Sequence, residues 1–140
     1  MPYQAQGPTF LPLTVAAARA AAIDRCAPAE RGSADIVQRR AEAAEATAAA
    51  CWTALLAGCD SPARRALPAR LRELTEATSS YAGIGSGSVH CRRVTQAQVR
   101  IDEAVRDGDG EEFAEAFVGY DQAVATAVVC GQGRMGSPTS

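Results

Sequence analysis

Residues 33–58, SADIVQRRAEAAEATAAACWTALLAG, decide the fold of this chain. Val37, Ala41, Ala44, Ala48, Cys51 and Leu55 recur in alternating steps of four and three, which draws one apolar seam along a helix. Gln38, Arg39, Glu42 and Glu45 fall away from that seam, as a solvated face does. Ser33 is a preferred N-cap residue and Gly58 a natural C-terminal stop, so the spacing predicts a helix from about 33 to 58. Because the seam is mostly alanine, a neighbouring helix can approach toward the lower end of the usual ~8–10 Å interaxial range. Trp52 sits beside the seam and reads as a core anchor.

Outward from this helix, the remaining segments repeat the helical pattern. Upstream, residues 1–12 mix prolines, a glycine and polar residues and read as an irregular arm. An alanine-rich stretch predicts a helix from about 14 to 26, which Pro28 and Gly32 interrupt. Downstream, Ser61-Pro62 starts a helix with serine at N-cap and proline at the first helical position. Leu67, Leu71, Leu74, Thr78 and Tyr81 share a face there, and Pro68 is expected to kink or restart it. Residues 82–91 read as a flexible loop. Val94, Thr95, Gln98 and Val99 have the spacing of a capping box with a hydrophobic staple, which predicts a helix from Thr95 to about Asp107. Gly108 ends it, and Asp109 with Glu112 repeats the capping pattern. The last helix carries Phe113, Ala116, Phe117, Tyr120, Val124, Ala127 and Val128 on one face and is expected to end near Gly131, leaving a loose tail at 132–140. Short connections favour antiparallel neighbours, so the expectation is all-α: a single helical domain over 1–140, an up-and-down bundle of four or five helices.

Composition agrees with a bundle. The chain has 140 residues, 47% hydrophobic, 21% charged and only 5% aromatic. That apolar content argues against wholesale disorder. No run of about 18 apolar residues offers a membrane span. The start, Met1 to Gln6, lacks a basic segment and an apolar core, which sets the expectation of a cytoplasmic protein. Alanine occurs 31 times, and all 14 basic residues are arginine. With no lysine, Schiff-base chemistry and a P-loop are excluded. Charge is uneven: residues 1–100 hold 12 arginines against 8 acids, residues 101–140 hold 2 against 8. That asymmetry suits self-association or an acidic partner meeting Arg64, Arg65, Arg70 and Arg72. An isoelectric point near 5.4 argues against nucleic acid.

The catalytic inventory is short. His90 is the chain's one histidine, so a di-iron site built on two Glu-x-x-His motifs is excluded. The H-E-x-x-H, G-x-S-x-G and Walker A patterns are absent, and no cofactor is expected. The acidic run Asp107 to Glu112 lacks the glycine and glutamate spacing of a calcium loop and reads as two helix ends. Gly83, Gly85 and Gly87, followed by Arg92 and Arg93, form a candidate anion site, since glycines let a phosphate approach and the arginines add charge-assisted bonds. No strand precedes them, so the dinucleotide-binding context is missing, and Ala97 occupies the place of a cysteine-phosphatase loop arginine.

Bundle topology brings Cys26, Cys91 and Cys130 toward one pole with His90 beside them, a candidate metal or redox set, and places Cys51 and Cys59 in the other half. With five cysteines and no Cys-x-x-Cys pair, at least one thiol is left without an intramolecular disulfide partner. The leading expectation is a non-enzymatic helical interaction module, an adaptor, regulator or small subunit that binds a protein partner or itself. Two alternatives stand beside it: a small-molecule or anion binder or enzyme sited at 83–93, and a thiol redox or metal sensor.

Overall fold

The computed structural model describes residues 9–24, 28–82 and 86–136. Among these, five helices form: α1 (Pro12–Asp24), α2 (Pro28–Ala57), α3 (Pro62–Ala82), α4 (Ser86–Asp107) and α5 (Gly110–Gly136). The four longer helices form a ring in chain order, and α1 lies in the groove between α2 and α5. Cross-links fix the directions. Arg64, at the start of α3, reaches Val105 at the end of α4, and Arg100 of α4 pairs with Glu112 of α5. Neighbours in the ring therefore run antiparallel, while α1 runs alongside α5 in the same direction, its first turn beside Asp121. The expected all-α, up-and-down bundle is the observed one.

The apolar seams form the core. Every residue of the α2 seam is buried, as are the expected faces of α3 and α5. Leu11, Val15, Ala18 and Ala21 add the inner face of α1, and Val94, Ile101, Ala104 and Val105 that of α4. At the α2–α3 end, Trp52 stacks on Phe113 (centroids 5.9 Å apart, planes 22° apart), and Phe10 meets Trp52, Phe113 and Phe117 edge-on. Offset stacking and edge contacts of this kind are the favoured arrangements of aromatic quadrupoles.

Two turns at that end are built alike. The N–H of Gly58 donates to Leu55 O and that of Cys59 to Ala54 O; Gly108 and Asp109 repeat the pattern on Val105 O and Ala104 O. These are Schellman motifs, and each needs a left-handed residue, supplied by Gly58 (φ 72°) and Gly108 (φ 69°). Ser61 Oγ accepts the Arg64 N–H, and Asp109 Oδ1 accepts that of Glu112, so both following helices carry the expected N-caps.

Several boundaries differ from the sequence expectation. α2 begins at Pro28 and runs through Gly32 and Ser33: proline is suited to the first helical position, and one interior glycine costs only about 1 kcal/mol against a long run of strong helix formers. α3 passes through Pro68 without a break, because Leu67, Leu71 and Leu74 are fully buried on one continuous face. α4 begins at Ser86 and α3 ends at Ala82, so the expected 82–91 loop is helix wherever it is described. The 94–99 capping box therefore lies inside a helix. Thr95 Oγ1 donates back to Cys91 O (3.2 Å), Gln98 bonds Thr75 of α3, Val94 is in the core and Val99 faces outward. α5 continues to Gly136, past the expected end near Gly131 and into the expected tail. In the expected N-terminal arm, Phe10 packs against the core and Leu11 is fully buried.

Candidate functional site

Helix α1 is held at its amino end by carboxylates from its two neighbours. The first N–H groups of a helix have no intrahelical acceptor. Here Glu45 of α2 accepts the N–H groups of Thr9, Phe10 and Leu11, each at 2.8 Å. Asp121 of α5 accepts those of Leu13 (3.1 Å) and Thr14 (2.8 Å), and Thr14 Oγ1 donates to the Asp121 carbonyl. Pro12 has no N–H to satisfy. Asp121 is buried, so these bonds are charge-assisted in a water-poor setting and complement the helix dipole.

Seated in this way, α1 forms a groove with α5. Leu13 and Ala17 from α1 face Gln122, Ala125, Thr126, Val129 and Cys130 from α5 around a cleft of about 490 Å³. Leu13 is 49% and Val129 56% exposed. Ile23 on α1 and Val118 on α5 are also exposed apolar residues. On the other side of α5, His90, Arg93 and Ala97 of α4 meet Gly119, Gln122, Ala123 and Thr126 around a smaller, more polar cleft of about 280 Å³.

The two clefts share Gln122 and Thr126, and a thiol and an imidazole from their walls meet: Cys130 Sγ lies 3.5 Å from His90 Nε2. His90 Nδ1 is buried without a hydrogen-bond partner. The pair forms because α4 and α5 run antiparallel from the Gly108 turn, which brings the beginning of one opposite the end of the other.

Of the other candidate residues, Cys91 is half-buried on α4 and forms no described contact with Cys130. Cys26 and Gly85 lie outside the described residues, and Gly87 falls within the first turn of α4. Arg92 and Arg93 are exposed, two turns into α4. Among the described residues, Cys51, Cys59, Cys91 and Cys130 are free thiols, and no three His, Cys, Asp or Glu side chains come close enough to share a metal ion. Cys51 is in the core, where burial pushes its thiol up, against the pull of the Arg64 guanidinium. No helix among the described residues is long and apolar enough to cross a membrane.

A second polar cluster lies between α3, α4 and α5. The Tyr120 hydroxyl donates to Leu71 O (3.1 Å) and contacts Thr75 Oγ1 (3.0 Å), which donates to Gln98 Oε1 (2.7 Å). Burial pushes the Tyr120 phenol up, so it serves as a hydrogen-bonding strut. Nearby, Asp102 Oδ1 is buried without a partner, and burial raises that carboxyl against the opposing pull of Arg106 and Arg72. These bonds tie three helices together inside the bundle.

Sequence reasoning did not find Glu45 and Asp121, nor the α1–α5 groove. A signal for the groove exists: Val118, Gln122, Ala125 and Val129 recur in steps of four, three and four, a second stripe beside the buried face of α5. No protein-family model matches the chain, and the searches of curated proteins and of solved structures give no match.

Proposed function

We propose that the protein is a non-enzymatic helical interaction module whose α1–α5 groove receives one apolar-faced helix of a partner protein. The observation that carries this reading is the groove itself, with small residues Ala17 and Ala125 between the exposed side chains of Leu13 and Val129. Exposed apolar residues scattered singly need no explanation, whereas a cluster around a cleft marks a contact surface. The occupant follows from how the bundle is assembled. α1 already lies in the groove between α2 and α5, and the α1–α5 groove repeats that arrangement one step outward. From Gln122 to Cys130 it runs about 12 Å along α5, enough to seat about two turns of helix.

The test is a double substitution, Leu13→Glu with Val129→Glu. Both sites are exposed, so stability should stay within about 0.5 kcal/mol of the parent. Wild-type and variant chains are compared for binding to a defined partner captured from the source cells and then purified, and for self-association by light scattering over a range of concentrations. Loss of partner binding in the variant supports the reading. Concentration-dependent dimers of the wild type that the variant lacks would make a second copy the occupant. Unchanged binding would sink the groove as the docking face.

A further inference from the structure

We propose that Cys130 and His90 form a thiol–imidazole pair that undergoes thiol–disulfide exchange with a small disulfide carrying an apolar arm. Two observations of different kinds carry this. The first is the contact between two side chains of complementary chemistry, Cys130 Sγ to His90 Nε2 at 3.5 Å, across two helices. An imidazole placed there accepts the thiol proton and leaves the sulfur nucleophilic, the arrangement that makes a cysteine reactive. The second is the access. Cys130 lines the 490 Å³ cleft with Leu13, Ala17, Ala125 and Val129, within the volume range of small-ligand pockets and apolar in lining. The sulfur thus has a base on the α4 side and an apolar recess on the α1 side.

The other described thiols lack this combination. Cys51 is fully buried, and Cys59 is exposed with its Sγ 3.7 Å from the carbonyl of Ala57 and no imidazole beside it. Cys91, next to His90 in sequence, lines neither cleft.

The reaction balances without an external oxidant beyond the disulfide. The Cys130 proton passes to His90 Nε2, and the sulfur lone pair attacks one sulfur of the incoming disulfide. The Cys130 S–S bond forms as the original S–S bond breaks, with its electron pair going to the departing sulfur. That thiolate then takes the proton from His90. Cys130 becomes oxidised as a mixed disulfide with one half of the small disulfide, and the other half leaves, reduced, as a free thiol. The exchange needs the groove open to a small molecule, as it is in the chain alone, whereas docking needs neither the thiol nor the imidazole, so failure of the exchange leaves the docking reading intact.

The test uses the full chain, reduced, with dithiobis(nitrobenzoate), an aromatic disulfide, as the probe. Reaction is quenched with acid at intervals and each cysteine's modification is read by peptide mass mapping. Cys130 should react roughly tenfold faster than Cys59, although Cys59 is the more exposed. His90→Gln should slow Cys130 by about tenfold or more and leave Cys59 unchanged, with Cys51 staying unreactive as the internal sign of an intact fold. Cys130→Ser, which keeps the imidazole, should remove the fast phase from the wild-type trace. The proposal is overturned if Cys59 matches or outruns Cys130, or if the fast phase survives Cys130→Ser. A Cys130 rate within twofold of wild type in a folded His90→Gln protein overturns it equally.

Discussion

Replacing Asp121 by alanine tests the reasoning about α1 most directly. Asp121 is 4% exposed, and its carboxylate accepts the N–H groups of Leu13 and Thr14. Its removal strands two donors in a site that water enters poorly, Thr14 being fully buried. A buried donor left unsatisfied costs about 1–3 kcal/mol, and loss of an N-cap alone costs typically ~1 kcal/mol. Two stranded donors, one of them at the edge of the site, place the total at about 2–4 kcal/mol. At roughly 4 °C per kcal/mol for a chain of this length, the melting temperature should fall by about 8–16 °C.

Glu45→Ala supplies the comparison. Glu45 accepts three N–H groups where Asp121 accepts two, so a tally of bonds ranks it the larger loss. The Thr9 bond is exposed, however, and those of Phe10 and Leu11 are only partly buried, so water can replace much of what is lost. The expected cost is about 1 kcal/mol. Urea titration of both variants, with hydrogen exchange of the α1 amides, measures the order. Equal or reversed losses would refute the argument that burial, and not bond number, sets the strength of this cap.

Asp102→Asn should stabilise the fold at neutral pH. Burial raises the folded-state pKa of Asp102 above its unfolded value near 3.8, so folding favours the protonated acid and stability falls as pH rises through the folded pKa; the gain from asparagine should shrink below about pH 4, which denaturation at several pH values reads. Arg64→Ala removes the bonds from its guanidinium to Cys59 O (3.3 Å) and Val105 O (2.9 Å), which tie the two glycine turns together, and should cost about 1–2 kcal/mol in a thermal melt. Ala44→Leu adds bulk to a fully buried seam position and should destabilise by about 1–3 kcal/mol; an unchanged melting curve would count against close helix approach there.

The faces of α2, α3 and α5 were legible because burial on one side of a helix leaves a period that survives in sequence. The glycines at 58 and 108 were legible because a left-handed turn admits few other residues. The beginning of α4 was not. Its first residues, Ser86, Gly87 and Ser88, have loop composition, and the pattern at Val94 to Val99 is what a helix start looks like locally. Tertiary packing overrode it. Val94 is needed in the core, Gln98 is needed by Thr75, and a helix that places both must already be running before either. The same logic hid Glu45, which reads as a solvated acid, and Asp121, which carries no signal of its own until the amino end of α1 is laid beside it.

The groove and the thiol depend on the seat of α1 in different ways, which gives the arrangement a testable internal structure. Leu13 and Ala17 form the α1 wall of the groove, and Asp121 bonds Leu13 and its neighbour Thr14 directly. Gln122, the next residue of α5, lines both clefts. Loosening α1 through Asp121→Ala should therefore weaken whatever docks against Leu13. The Cys130–His90 contact spans α4 and α5 and needs no residue of α1. In the same variant the dependence of Cys130 reactivity on His90 should persist, while partner binding declines. A variant that lost both together would mean that α1 also sets the α4–α5 pairing, and the two sites would then have to be treated as one.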